Sequence, residues 1–179
     1  MSGVTQLPLT STLYLPHMAE QSGFKLQDKV VLITGGGGGF GRALSHAFTG
    51  AGATVLITDI SDRGQVVANE VGSRFFQADI SDTKTTRALF EKCVKYAGNI
   101  DILVNNAGLQ YISPLEDFPE QDWIQLVHIM LIAPFQLTKY VIPDMKTQRW
   151  GRIINLSSIH GLVASPFKSA YVSAKHGLV

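Results

Sequence analysis

The chain has 179 residues, a length that suits one domain, and its 45% hydrophobic and 16% charged residues are enough for an ordinary globular core. The net charge is +1 and no basic stripe stands out, so the long-range field that draws nucleic acid or anionic lipid is missing. The single cysteine, Cys93, cannot make an internal disulfide and gives no argument for an oxidising compartment, so a cytoplasmic protein is expected.

Residues 1–28 differ from the rest. No Asp, Glu, Lys or Arg precedes Glu20, and Arg42 is the first arginine. A secretory signal would need a positive start and a transit peptide would need arginines. A loosely ordered extension is expected, the alternative being a strand or lid that docks on the domain. Nowhere does the chain approach the ~18 uninterrupted apolar residues of a membrane span.

From Lys29 onward, short aliphatic runs alternate with amphipathic stretches. Val30–Thr34 reads as a strand and Gly41–Gly50 as a helix. Then come strand Thr54–Thr58, helix Arg63–Val71, strand Arg74–Gln77 and helix Thr83–Tyr96. Cys93 lies on that last helix, between Phe90 and Val94, as an apolar filler rather than a nucleophile. Strand Ile102–Asn105, helix Gln121–Lys146 and strand Arg152–Leu156 follow. Such alternation predicts an α/β, doubly wound parallel sheet of Rossmann type in residues 29–179, with strands buried on both faces. Ala170 to Val179 reads as the opening turns of a helix without a stop signal. The fold is therefore expected to be truncated after its fifth strand, leaving that strand as an open sheet edge. These 179 residues alone are expected to be inactive or insoluble.

Between the first strand and helix lies Gly35-Gly36-Gly37-Gly38-Gly39-Phe40-Gly41. A dinucleotide turn needs glycines there, because the chain must turn sharply and bring its amides to a pyrophosphate without a Cβ in the way. The following helix aims its free N–H groups at the phosphates. A flexible glycine linker is the other reading. Asp59 ends the second strand about 20 residues later, where a carboxylate can accept from the adenosine ribose hydroxyls. A carboxylate there repels a 2′-phosphate and favours NAD over NADP, although Arg63 is close in sequence. Asp59 could instead be a turn or cap residue, but Ser61 and Asp62 are better placed for the cap.

Taken in order, these pieces resemble the short-chain dehydrogenase family. Thr34-Gly35-x-x-x-Gly39-x-Gly41 is similar to its glycine motif, and Asn105-Asn106-Ala107-Gly108 to its NNAG segment. Tyr171-x-x-x-Lys175 resembles its YxxxK, and Ser158 precedes Tyr171 by the family's 13 positions. The resemblance implies that Gly35, Gly39, Phe40 and Gly41 cradle NAD. It further implies that Asp79 contacts the adenine, and that Asn106, Ala107 and Gly108 line the groove. Trp150 to Asn155, His160 to Ser165 and Lys168 to Tyr171 are similar to the bacterial-type 3-hydroxybutyrate dehydrogenases of that family. In those enzymes the residues matching Gln110, His160 and Lys168 hold the substrate carboxylate.

The residues support that chemistry. Tyr171 and Lys175 are four apart and share one face of a helix. A phenol of ordinary pKa near ~10 is a poor base. A neighbouring ammonium and the cofactor's positive ring would favour its phenolate. Tyr171 then exchanges the hydroxyl proton, Ser158 fixes the substrate oxygen, and Lys175 also holds the nicotinamide ribose. Strand alternation sends the neighbouring Ser157 the other way. No metal is called for. His160 read alone could be a satisfied loop histidine, and Lys168 a solvated charge.

One position departs from the family pattern. In Ile129-Met130-Leu131-Ile132-Ala133-Pro134-Phe135, Met130 stands where the family has a helix-opening Asn that supports a proton relay. Pro134 has no N–H for the Met130 carbonyl and could preserve the relay by another route; a weakened relay is the other reading. The leading expectation is an oxidoreductase for a small hydroxy acid, homo-oligomeric when full-length. Its rivals are a dehydrogenase for another alcohol or sugar acid, and a catalytically impaired NAD-binding or regulatory protein.

Overall fold

The computed structural model describes residues 25–179. The expected extension therefore lies outside the described residues, apart from Lys25–Asp28. Within that short piece the Leu26 N–H donates to the Ala51 carbonyl at 2.8 Å, and the Leu26 side chain packs on the core.

Five strands form one sheet: β1 Val30–Thr34, β2 Thr54–Asp59, β3 Arg74–Gln77, β4 Ile102–Asn105 and β5 Arg152–Asn155. Their order is β3-β2-β1-β4-β5, and every pairing is parallel. Parallel neighbours cannot be joined by tight turns. The crossovers run through α1 Gly39–Gly50, α2 Arg63–Val71, α3 Thr83–Ala97 and one long helix. The long helix consists of α4 Glu120–Val127, a π-helical turn His128–Ile132, and α5 Ala133–Gln148. A last helix, α6, covers Ser169–Leu178.

Strand alternation divides the core in two. Leu32, Leu56 and Leu103 face one side, with Leu89, Leu137 and Val141. Val31, Ile33, Val55, Ile57 and Val104 face the other, with Val67 and Ala68. β1 and β4 are buried along their whole length, as central strands covered by helices must be. β5 is exposed along its whole length, with Ile153 and Ile154 open to solvent, as expected of an edge.

Boundaries move by a residue or two. α1 starts at Gly39 rather than Gly41, β2 gains Asp59, and β5 stops at Asn155 rather than Leu156. Asp82 caps α3, its carboxylate accepting from the Thr85 N–H at 2.7 Å. At α2 the N-cap residue is Asp62, whose side chain makes no cap bond; Ser61 Oγ, one residue earlier, accepts from the Arg63 N–H at 3.2 Å. The helix expected over Gln121–Lys146 is the continuous stretch Glu120–Gln148 with a widened turn inside it. That stretch is long and apolar enough by composition to cross a membrane, and it packs Leu137, Val141 and Met145 against the sheet.

Candidate active site

The chain reverses its direction of travel between β1 and β4, so the carboxyl ends of those strands leave a crevice. Its floor is the glycine turn. Gly35 has φ +66°, and a Cβ there would meet the Ala107 Cα at 2.8 Å. At Gly41 a Cβ would fall on the Gly35 carbonyl oxygen. Gly36, against Ile57, and Gly37, against the Gly64 N, also have no room for a Cβ, so side chains are excluded from four points of the turn.

The turn is held from behind. Buried Thr34 accepts with its Oγ1 from the N–H groups of Asn106 (3.1 Å) and Ala107 (3.0 Å). Asn106 Nδ2 donates to the carbonyls of Thr34 (2.8 Å) and Gly35 (3.0 Å). The Asn106 side chain thus fastens the glycine turn to the end of β4. Thr34→Val keeps the shape and leaves the Ala107 N–H without its acceptor, while the Asn106 N–H keeps only the Val104 carbonyl at 3.1 Å. It is expected to cost about 1–3 kcal/mol, read from the midpoint of chemical denaturation. An unchanged midpoint would remove Thr34 from this role.

Three adjoining cavities make one cleft, and Gly108 borders all of them. The first, about 270 Å³, is bordered by Asp59, Asp79, Ile80, Leu109 and Ile129 among others. The middle one, about 260 Å³, lies over Gly35, Gly39, Phe40 and Gly41 and also touches Asp59, Asn106 and Ala107. The last, about 560 Å³, is bordered by Phe40, Gln110, Ser157, Tyr171 and Lys175. Many of the predicted site residues thus meet along one crevice, whereas Ser158, His160 and Lys168 are not among the residues that border these three cavities.

Asp59 shapes the first part of the cleft. Its Oδ2 accepts from the Gly37 N–H at 3.0 Å and its Oδ1 from the Ser61 N–H at 2.9 Å. It therefore serves the turn as well as facing the cleft, and each oxygen keeps further acceptor capacity. Asp79 accepts from the Ser81 N–H at 2.8 Å and borders the same cavity.

At the far end α6 presents Tyr171 and Lys175 on one face, with Lys175 Nζ 5.7 Å from the centre of the Tyr171 ring. Lys175 is buried, and its Nζ donates to the Leu156 carbonyl at 2.6 Å. Burial pushes its pKa below the ordinary lysine value. Ser158 sits just past β5, its Oγ accepting from the His160 N–H at 3.2 Å. Ser157 was expected to turn away, yet it borders the Tyr171 cavity, and its Oγ donates to the Lys175 carbonyl at 3.3 Å. The reason is that β5 stops at Asn155, so strand alternation does not carry through to these serines.

His160 and Lys168 come together, with Lys168 Nζ 3.4 Å from His160 Nε2. The other ring nitrogen, Nδ1, donates to the Val163 carbonyl at 3.1 Å. The His160 ring stands edge-on to Tyr171, with centres 6.0 Å apart. Met130 is buried with Phe118, Leu126, Ala170 and Ala174. In the π-helical turn beside it the Ala133 N–H reaches back five residues, to the His128 carbonyl. Pro134 can donate to no carbonyl, whether four or five residues back. Cys93 is fully buried, and burial pushes its thiol up to about 12, far from a nucleophile's range. Ile80, Leu109, Gln125 and Ile129 also border the cleft, and the sequence reading did not single them out. Apolar residues at helical or loop positions carry no signal that separates a ligand wall from core.

A parallel five-stranded sheet with a glycine turn under its crevice defines a Rossmann-type α/β domain. The Tyr171/Lys175 helix closes one end of that crevice. The chain belongs to the short-chain dehydrogenase family, whose model matches residues 29–179. It is 40% identical over 164 residues to a D-beta-hydroxybutyrate dehydrogenase of Cupriavidus necator, covering 86% of this chain and 62% of that protein. It is 38% identical over 159 residues to the D-beta-hydroxybutyrate dehydrogenase of Rhizobium meliloti, covering 84% of this chain and 62% of that one. A probable galactose dehydrogenase of Rhizobium meliloti is 36% identical over 161 residues, 86% of this chain and 63% of that protein. The chain thus spans less than two thirds of the length of these relatives.

Proposed function

We propose that the protein is an NAD-dependent dehydrogenase acting on a small hydroxy acid, 3-hydroxybutyrate, with Tyr171 as the acid/base group. The observation that carries this reading is the single cleft running from Asp59, over the glycine turn, to Tyr171 and Lys175. The open space over Gly39, where a Cβ would meet nothing within 4 Å, fits a pyrophosphate approached by backbone amides. NAD, when bound, supplies the hydride acceptor.

The chain's own residues do the rest. Gly35, Gly39, Phe40 and Gly41 cradle the phosphates. Asp59 accepts from ribose hydroxyls, Asp79 borders the adenine end, and Asn106, Ala107 and Gly108 form the groove. Tyr171 takes the substrate's hydroxyl proton on its phenol oxygen, and Lys175 favours the phenolate. Ser158 accepts from the His160 N–H and keeps its own O–H free to donate to the substrate oxygen. In the neutral His160 ring, Nδ1–H donates to Val163 and Nε2 accepts from Lys168. The remaining Lys168 N–H groups and Gln110 are then available for a carboxylate. In this reading the protein works in the cytoplasm as a homo-oligomer.

NADH formation from 3-hydroxybutyrate and NAD, followed by absorbance on the protein carried to the length of these relatives, tests the proposal. A second reading is a catalytically impaired NAD-binding or regulatory protein. It is favoured by Met130, an apolar side chain in an apolar cluster where the family resemblance places a polar Asn. NADH binding without turnover would select it.

Asp59→Asn removes the charge and keeps one acceptor oxygen. NADH affinity is expected to fall about 10-fold, with the preference over NADPH narrowing by more than that. Fluorescence titration with both nucleotides reads the two numbers. An unchanged ratio would take Asp59 out of nucleotide selection.

A further inference from the structure

Two of the walls of the cavity at the Asp79 end of the cleft come from separate parts of the chain. One is the Ala78–Ile80 loop after β3. The other is the long helix, through Gln125 and Ile129. His128 joins them. Its Nδ1 lies 3.2 Å from the Ile80 carbonyl and its Nε2 lies 3.4 Å from Thr83 Oγ1. Thr83 Oγ1 in turn accepts from Gln136 Nε2 at 2.8 Å.

A carbonyl cannot donate, so Nδ1 carries the proton toward Ile80. In the neutral ring Nε2 is then the acceptor of the Thr83 hydroxyl. Gln136 is buried, and Ile80 is fixed in the core beside Leu89 and Leu137, so both ends of this chain of bonds are anchored. Among the described residues, the side chains of His128 and Gln136 make the hydrogen bonds between residues 78–83 and the long helix. His128 opens the π-helical turn, a local geometry that recurs at functional sites.

We infer that His128 is a positioning residue: by latching the loop after β3 to the long helix it sets the width of the slot between Ile80 and Ile129 that takes the flat base of the nucleotide. The inference rests on the cofactor reading above. A planar ring between two aliphatic walls is held by close contact, and a gap wider by a fraction of an ångström forfeits much of that attraction.

The test is calorimetric titration with ADP-ribose, which carries the adenine half of the cofactor and no nicotinamide, alongside NADH titration. His128→Ala is expected to weaken both about 3- to 10-fold. His128→Asn can still offer an N–H to the Ile80 carbonyl and should stay within about twofold of the unaltered protein. Thermal melts verify that each variant is folded. If His128→Ala does not fold, Thr83→Val carries the test, since it removes the hydroxyl between His128 and Gln136 and keeps the shape. It should weaken ADP-ribose about 2- to 5-fold. Unchanged ADP-ribose affinity in a folded His128→Ala or Thr83→Val variant would overturn the inference alone. So would equal weakening by the Ala and Asn variants. Failure of the unaltered protein to bind either nucleotide would overturn the cofactor reading and this inference together.

Discussion

Replacing Tyr171 by Phe is expected to lower turnover of 3-hydroxybutyrate roughly 10²–10⁴-fold, the usual worth of a positioned acid/base group. NADH affinity should stay within about twofold. The substitution removes one oxygen and keeps the ring. The ring is what packs beside Ala170 and Ala174 and stands edge-on to His160. Lys175 is held independently, by the Leu156 carbonyl, so its place does not depend on the phenol. Steady-state NADH absorbance and NADH fluorescence titration on the same preparation separate the two effects. Loss of affinity along with turnover would mean that Tyr171 supports the fold of the cleft rather than the proton transfer.

The second large effect is expected at Gly41. A methyl group there meets the Gly35 carbonyl oxygen and comes within 2.6 Å of the Gly36 Cα, and backbone on both sides leaves nothing flexible to yield. Gly41→Ala should cost about 1–3 kcal/mol of stability by overpacking. It should also weaken NADH more than about 10-fold, because the amides of the turn are re-aimed. Gly39→Ala is the informative companion. Its methyl group meets nothing within 4 Å, so the variant should be as stable as the unaltered protein or slightly more so. It should still bind NADH less well, since that open space is where a pyrophosphate is expected. Thermal melts and NADH titration of both variants give four results. A Gly41→Ala protein that is fully stable and tight-binding would refute the account of the turn.

The sheet was legible because its strands are buried on both faces and read as bare aliphatic runs, Val30–Thr34 and Ile102–Asn105 above all. The glycine turn was legible for an equally local reason, since few other structures need five glycines between a strand and a helix. Other features depend on contacts that no neighbouring residue reveals. Thr34 and Asn106 sit 72 positions apart, and their mutual bonds exist only once β1 and β4 pair. Ser157 borders the cleft against the expectation from alternation, because the strand stops at Asn155. Ile80 and Ile129 have the composition of core and the position of a ligand wall. The widened turn was less legible for a subtler reason. Leu126, Met130, Ala133, Leu137 and Val141 keep the spacing of an unbroken helical stripe, so the apolar pattern does not show the widened turn, and Pro134 is the one local mark beside it.

That break in step decides what the long helix leans on. Leu126 and Met130, before and within the π-helical turn, lie with Ala170 and Ala174 of α6. Ala133, Leu137 and Val141, after it, lie on the sheet with Leu32, Leu56 and Leu103. The helix is thus a cantilever, rooted in the sheet at one end and bearing the Tyr171/Lys175 helix on the other. Bulkier side chains at Ala170 or Ala174 would therefore tilt Tyr171 while the sheet beneath stayed as it was.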